Sequence, residues 1–158
     1  MSFVKVMGLC SLVLSAYFAW RLYRRFREER LAELGALAKA LGCVRENIRV
    51  YHTFRPIPLR EELSPLAAIG FRGDTDVSED LSRVVLRMKL LRSEKESLIE
   101  SLRTLGEGNL ESENEKIDNL IENVKNALQK EEKEGKKSVD TLRIVLFTVV
   151  LSLVILFL

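Results

Sequence analysis

Histidine, tryptophan and proline are scarce in this chain: its 158 residues include one His, one Trp and three Pro. His52 alone would have to serve any Ser–His–Asp or Cys–His constellation, and it lies beside a proline-containing break with no metal-ligand spacing around it. A solvated or capping histidine is the plainer reading. No phosphate-binding loop is written either: Gly106 and Gly108 lack the Lys-Ser/Thr ending and stand between two helical patterns, not after a strand. Asn-Gly and Asp-Gly hairpin turns are missing, and alternation of polar and apolar residues is confined to residues 47–51. Cys10 falls in an apolar run and Cys43 in a polar region, as two unpaired thiols in a reducing compartment would. A formal net charge of +2 is too small to call for a nucleic-acid partner. The expectation is a non-enzyme with no catalytic residues, cofactor, metal or small-molecule substrate.

What the chain does have is segregation. Hydrophobic residues make up 47% and charged residues 30%, both high because they occupy different stretches. Residues 6–20 carry no charge, and residues 3–20 are interrupted only by Lys5. At ~1.5 Å per residue that stretch covers ~27 Å, close to the ~30 Å hydrocarbon core of a bilayer. Lys5 can snorkel to the headgroups, and Tyr17 and Trp20 are placed as interfacial aromatics. A cleaved signal peptide would want a basic start, a shorter core and a small-x-small site, whereas aromatics and arginines follow here, so a retained anchor is expected. At the other end, residues 144–158 are apolar apart from one Thr and one Ser. This run spans only ~22 Å, a mismatch that bilayer thinning or helix association can absorb, and it reads as a second membrane segment.

Basic residues set the expected orientation. Arg21, Arg24, Arg25, Arg27 and Arg30 follow the first segment, and Lys130, Lys133, Lys136, Lys137 and Arg143 precede the second. Both flanks are therefore expected at the cytosolic face, with Arg21, Arg24, Arg25, Lys137 and Arg143 at the membrane edge. The domains follow: an anchor over 1–20, a cytosolic helical bundle over 21–142 with a charged stalk over 129–142, and a membrane segment over 143–158. The fold class is all-α, a membrane-anchored helical bundle with an N-terminal transmembrane helix, an antiparallel helical hairpin and a C-terminal hydrophobic tail helix.

Within the bundle, Leu31, Leu34, Ala38 and Leu41 recur at helical spacing, with Gly42 placed as the residue that ends that helix and residues 44–51 as a further short one. Residues 53–58 form a break, and Pro65 must kink or split a helix over 59–69. Asp76 and Glu79 have capping-box spacing, as do Ser112 and Glu115. Leu91, Leu98, Ile99, Leu102 and Leu105 make one apolar stripe; Ile117, Leu120, Ile121, Val124, Ala127 and Leu128 make the next. Two stripes joined by a short Gly-containing connection predict the hairpin. Residues 129–138, nearly all Lys and Glu, predict a polar stalk in which Gly135 is a bend.

The run 91–106, Leu-Arg-Ser-Glu-Lys-Glu-Ser-Leu-Ile-Glu-Ser-Leu-Arg-Thr-Leu-Gly, followed by an acidic helix and an apolar end, resembles stage III sporulation protein AB. The resemblance is best over 91–158 and in the place of the N-terminal anchor. It extends to Ile48, Tyr51, Thr53, Pro58, Leu59 and Glu61, while Asn109 stands where that family has Asp and residues 70–88 are short. It implies a helical domain similar to the cytosolic domains of type II secretion F (platform) proteins. It also implies a scaffold subunit of the transenvelope complex between mother cell and forespore, in the mother-cell (outer forespore) membrane with the soluble domain facing the cytosol. Its expected partners are a cytosolic sporulation ATPase and other membrane subunits of the complex. Glu107, Asn109, Glu111 and Glu113, the last two taken as exposed, are the expected docking residues. A membrane-tethered regulator or adaptor, binding one soluble partner through the charged hairpin, is the alternative.

Overall fold

A computed structural model describes residues 3–53, 55–73, 76–105 and 108–157. Five helices account for most of them: α1 (Phe3–Tyr51), α2 (Ser64–Ala68), α3 (Val77–Arg87), α4 (Arg92–Arg103) and α5 (Leu110–Phe157). A single 3-10 turn, Glu61–Leu63, precedes α2, and no strand occurs among the described residues. The chain divides into two compact units, one made of residues 29–129 and the other of residues 1–28 with 130–158. Arg21, Arg24, Arg25 and Arg27 and the Lys/Glu residues from Lys130 on fall in the unit with the apolar ends, and Arg30 in the other.

The unit over 29–129 is held by a conventional hydrophobic core. Leu34, Leu37, Leu41, Val44 and Ile48 of α1 recur at three- and four-residue spacing and are all buried. They join Leu66, Phe71, Leu81, Val84, Val85, Leu102, Ile117, Leu120 and Val124 in one cluster. Gly42 does not end α1; the helix runs through it to Tyr51. Gly there costs about 1 kcal/mol against Ala, which flanking buried residues Leu41 and Val44 outweigh. The helix stops instead at His52, whose φ of 54° is the left-handed conformation of a helix C-terminus. Residues 55–60 carry no regular secondary structure, and Arg60 is extended. Pro65 acts as expected, splitting residues 59–69 into the 3-10 turn and α2, with the proline in the first turn of α2, where its missing N–H is not needed.

Charged side chains fix the connections. Asp76 caps α3 by accepting from the Glu79 N–H at 3.1 Å, as its spacing predicts. Asp80, buried, accepts from the N–H groups of Arg72 and Gly73, both at 2.8 Å, and so pins the loop before α3. Gly73 has φ +70°, and a Cβ there would strike the Ile57 carbonyl oxygen, so that strand-like approach of two backbones requires glycine. α3 and α4 pack antiparallel: Ser78 Oγ donates to the Leu102 carbonyl at 2.6 Å, and Lys95 Nζ to the Leu86 carbonyl at 2.8 Å. Glu33 of α1, also buried, accepts from Lys89 N–H at 2.8 Å in the link between them. Glu94 accepts both from the Leu91 N–H at 2.9 Å and from Arg30 at 3.0 Å. Leu91 is thus the cap of α4 and exposed, not the start of the apolar stripe. Leu102 and Leu105 are buried and Leu98 and Ile99 half-buried, as that stripe predicts.

The other unit has the opposite character. Its helical segments expose Leu12, Leu14, Phe18, Leu22, Val145, Phe147, Leu151 and Ile155, with Phe147 70% exposed. Two of its hydroxyls are satisfied within their own helices: Ser15 Oγ donates to the Ser11 carbonyl and Thr148 Oγ1 to the Ile144 carbonyl. α5 continues through Gly135 without a break. This glycine is a close-approach point: its Cα lies against the guanidinium of Arg27, which is buried and donates to the Glu131 carbonyl oxygen, with the Glu131 carboxylate 3.4 Å away.

Candidate docking turn and membrane face

Asn109, Glu111 and Glu113 lie at the start of α5; Glu107 lies outside the described residues. The cap of α5 is Asn109 and not Ser112: Asn109 Oδ1 accepts from the Ser112 N–H at 2.9 Å, and the Asn109 carbonyl accepts from the Glu113 N–H at 2.9 Å. Asn and Ser cap equally well, and the upstream one is reached first when the three residues after it are already helical. Glu111 is exposed. Glu113, expected at the surface, is only 4% exposed. Its carboxylate accepts from the Gly108 N–H at 2.9 Å and from Lys116 Nζ at 3.0 Å, and the same Nζ donates to the Thr104 carbonyl at 2.7 Å. A carboxylate that bonds a turn's backbone and neutralises a lysine is structural. Of the four residues, the described ones leave Glu111 as the acid whose side chain faces solvent.

The basic flanking residues sit on the surface of the unit with the apolar ends. Arg21, Arg24, Arg25, Lys137 and Arg143 are all exposed. Arg24 pairs with Glu28 at 2.8 Å and lies 5.8 Å from the centre of the Trp20 ring. Tyr17 packs beside the same indole, ring centres 6.3 Å apart. An arginine over an indole face gains a cation–π contact while its aliphatic stem covers apolar surface. Tyr23 and Phe26 extend the exposed aromatic surface one to two turns beyond Trp20, into the arginine run.

A groove of about 580 Å³ opens on this unit, lined by Val13, Ala16, Tyr17 and Trp20 of α1 and by Leu146, Phe147 and Val150 of α5, with Arg24 and Arg143 also in its wall. Sequence reasoning had no access to the groove, or to the buried Arg27. The one available signal was Gly135, a lone glycine inside a helical Lys/Glu run, which marks close approach more often than flexibility. Among the described residues no group of three or more His, Cys, Asp or Glu is placed to hold a metal ion.

Within α5, residues Glu111–Ile155 include a stretch long and apolar enough to cross a membrane, and none of that apolar stretch is buried against the rest of the chain. No family model matches the chain, and no curated protein or solved structure matches it significantly. The class that the fold itself defines is therefore the coarse one: an all-helical protein with a candidate membrane-spanning helix.

Proposed function

We propose that the chain is a non-enzymatic scaffold, held in the cell membrane by apolar helices at both ends, that presents a charged helical bundle to a protein partner on the cytosolic side. The observation that carries this reading is the apolar stretch of α5, none of which is buried within the chain. In water, a contiguous surface of Val, Leu, Ile and Phe side chains of this kind would drive aggregation; in a bilayer it is the solvated state. The exposed apolar face over residues 12–18 of α1 supports an N-terminal anchor by the same argument. Arginines and lysines beside both apolar ends support the cytosolic orientation.

The resemblance to stage III sporulation protein AB supplies the setting: a platform subunit of the mother-cell-to-forespore complex in the outer forespore membrane, docking a cytosolic ATPase. In this reading α4 and the first part of α5 form the hairpin, and its turn, with Glu107 and Glu111 as the available acids, is the docking point. Asn109 and Glu113 then shape the turn without contacting the partner. The test has two arms. Full-length chain should resist alkaline carbonate extraction from membranes, and a Glu111→Cys variant should be shielded from an impermeant thiol reagent in intact cells. Crosslinking in sporulating cells should recover a secretion-type ATPase, and the Glu111→Lys variant should recover less, with the wild-type contact weakening as salt rises. Release by carbonate would overturn the membrane scaffold; recovery unchanged by Glu111→Lys would move the docking point elsewhere.

A further inference from the structure

The groove on the unit with the apolar ends has a polarity gradient that its lining residues define. Along α1, Val13, Ala16, Tyr17, Trp20 and Arg24 follow one another at three- and four-residue spacing, so they share one face over ~16 Å of helix. Along α5, Arg143, Leu146, Phe147 and Val150 do the same in the opposite sequence sense. Both arginines belong to the end nearer the charged residues, and everything beyond them is aromatic or aliphatic. Among the described residues no acid pairs with Arg143, and the Arg24–Glu28 pair is solvent-exposed, with side chains 57% and 62% accessible, so it is readily exchanged for another anion.

We infer that this groove is a binding site for one anionic phospholipid, its acyl chain lying along Val13, Ala16, Phe147 and Val150 and its phosphate between Arg24 and Arg143. The inference rests on the membrane reading above. An anion at one end and a hydrocarbon chain from there on is the complement of the lining, and basic pockets between membrane helices are known headgroup sites. A second copy of this chain fits the groove poorly. Symmetric pairing would bring two sets of Arg24 and Arg143 into one low-dielectric interface, with only the solvent-exposed Glu28 paired to Arg24. Close helix pairing in lipid also favours small residues, and Ala16 is the only one in this lining.

Delipidated full-length protein in detergent, given phosphatidylglycerol or phosphatidylcholine and measured by native mass spectrometry, tests the site. One phosphatidylglycerol should be retained roughly thirtyfold over phosphatidylcholine, the scale expected when two arginines, at ~1 kcal/mol each, meet a net negative headgroup in place of a zwitterionic one. The double variant R24Q/R143Q should lose this preference, while R21Q/R25Q, which removes the same charge outside the groove, should keep it. Ala16→Phe, which fills the groove and leaves both arginines, should reduce retention of either lipid. Equal loss in the two double variants would show general surface attraction and overturn the site. So would unchanged retention in Ala16→Phe, or a dimer that this variant dissolves. If Ala16→Phe fails to insert, the paired arginine variants still decide. Carbonate extraction of the wild type is run alongside: a chain that inserts but does not discriminate lipids refutes the groove alone, whereas one that does not insert refutes the membrane reading first.

Discussion

Two regions of one chain, both built from α1 and α5, treat the same residue types in opposite ways. Between residues 29 and 129 a core of large aliphatic side chains is hidden, with Leu34, Leu41, Leu81 and Ile117 each 1% exposed or less, and only scattered ones such as Leu59, Leu86 and Leu91 are exposed. Outside those limits, Leu22, Ile144, Phe147 and Ile155 are each at least 65% exposed. The polar groups invert too. The buried acids of the first region, Glu33, Asp80 and Glu113, accept from backbone N–H groups outside the helices, while Ser15 and Thr148 of the second donate to carbonyls of their own helix. On the proposed membrane reading, the difference teaches that the two regions suit different solvents. A region that folds in water hides its apolar surface, and one that sits in hydrocarbon has only to satisfy its polar atoms.

The largest expected contrast is between two large-to-small changes. Leu102→Ala should destabilise the 29–129 unit by ~2–5 kcal/mol, since Leu102 is fully buried and its loss leaves a cavity. Phe147→Ala removes a larger side chain and should leave denaturation of that unit within ~0.5 kcal/mol of wild type, because nothing in the chain packs over it. Urea denaturation of full-length protein in detergent, followed at the helices of the core, reads both. Similar shifts for the two variants would break the division.

Asp80→Ala comes next. It strips the acceptor from two backbone N–H groups, one of them buried at Gly73, and should cost about 2–3 kcal/mol. Hydrogen exchange at Arg72 and Gly73 should rise with it; unchanged exchange would mean that water satisfies the loop. At the small end, Glu96→Ala breaks an exposed i,i+4 pair with Arg92 and should change stability by no more than ~0.5 kcal/mol. A larger effect would show that α4 is sustained by its surface charges and not by Leu102 and its neighbours.

The sequence told solvent apart from core where periodicity is strong and long. The stripe from Ile117 to Val124 and the cap at Asp76 were both legible because each depends on residues three or four apart. Gly42 misled because a helix end is decided by the best alternative downstream, and buried Val44 and Ile48 made continuation more favourable than a stop. Leu91 and Glu113 misled for a related reason. Spacing says which side of a helix a residue shares, but not where the helix begins or which neighbour its charge will meet. Spacing places Glu113 among surface acids, whereas Lys116 and the Gly108 N–H enclose it. Arg27 against Gly135 was out of reach altogether, since it joins positions more than a hundred residues apart.

The central claim is that lipid, and nothing in the chain, covers the exposed faces of the unit with the apolar ends. Cys10 tests it with a native atom: it is exposed on α1, so protein packing cannot shield its thiol. With Cys43→Ser as background, full-length protein in lipid vesicles is treated with a water-soluble maleimide. Cys10 should stay unlabelled until the sample is denatured in sodium dodecyl sulfate, while a Cys10→Ser/Glu132→Cys variant reacts at once. Labelling of Cys10 in intact vesicles as fast as at position 132 would place that face in water and contradict the account.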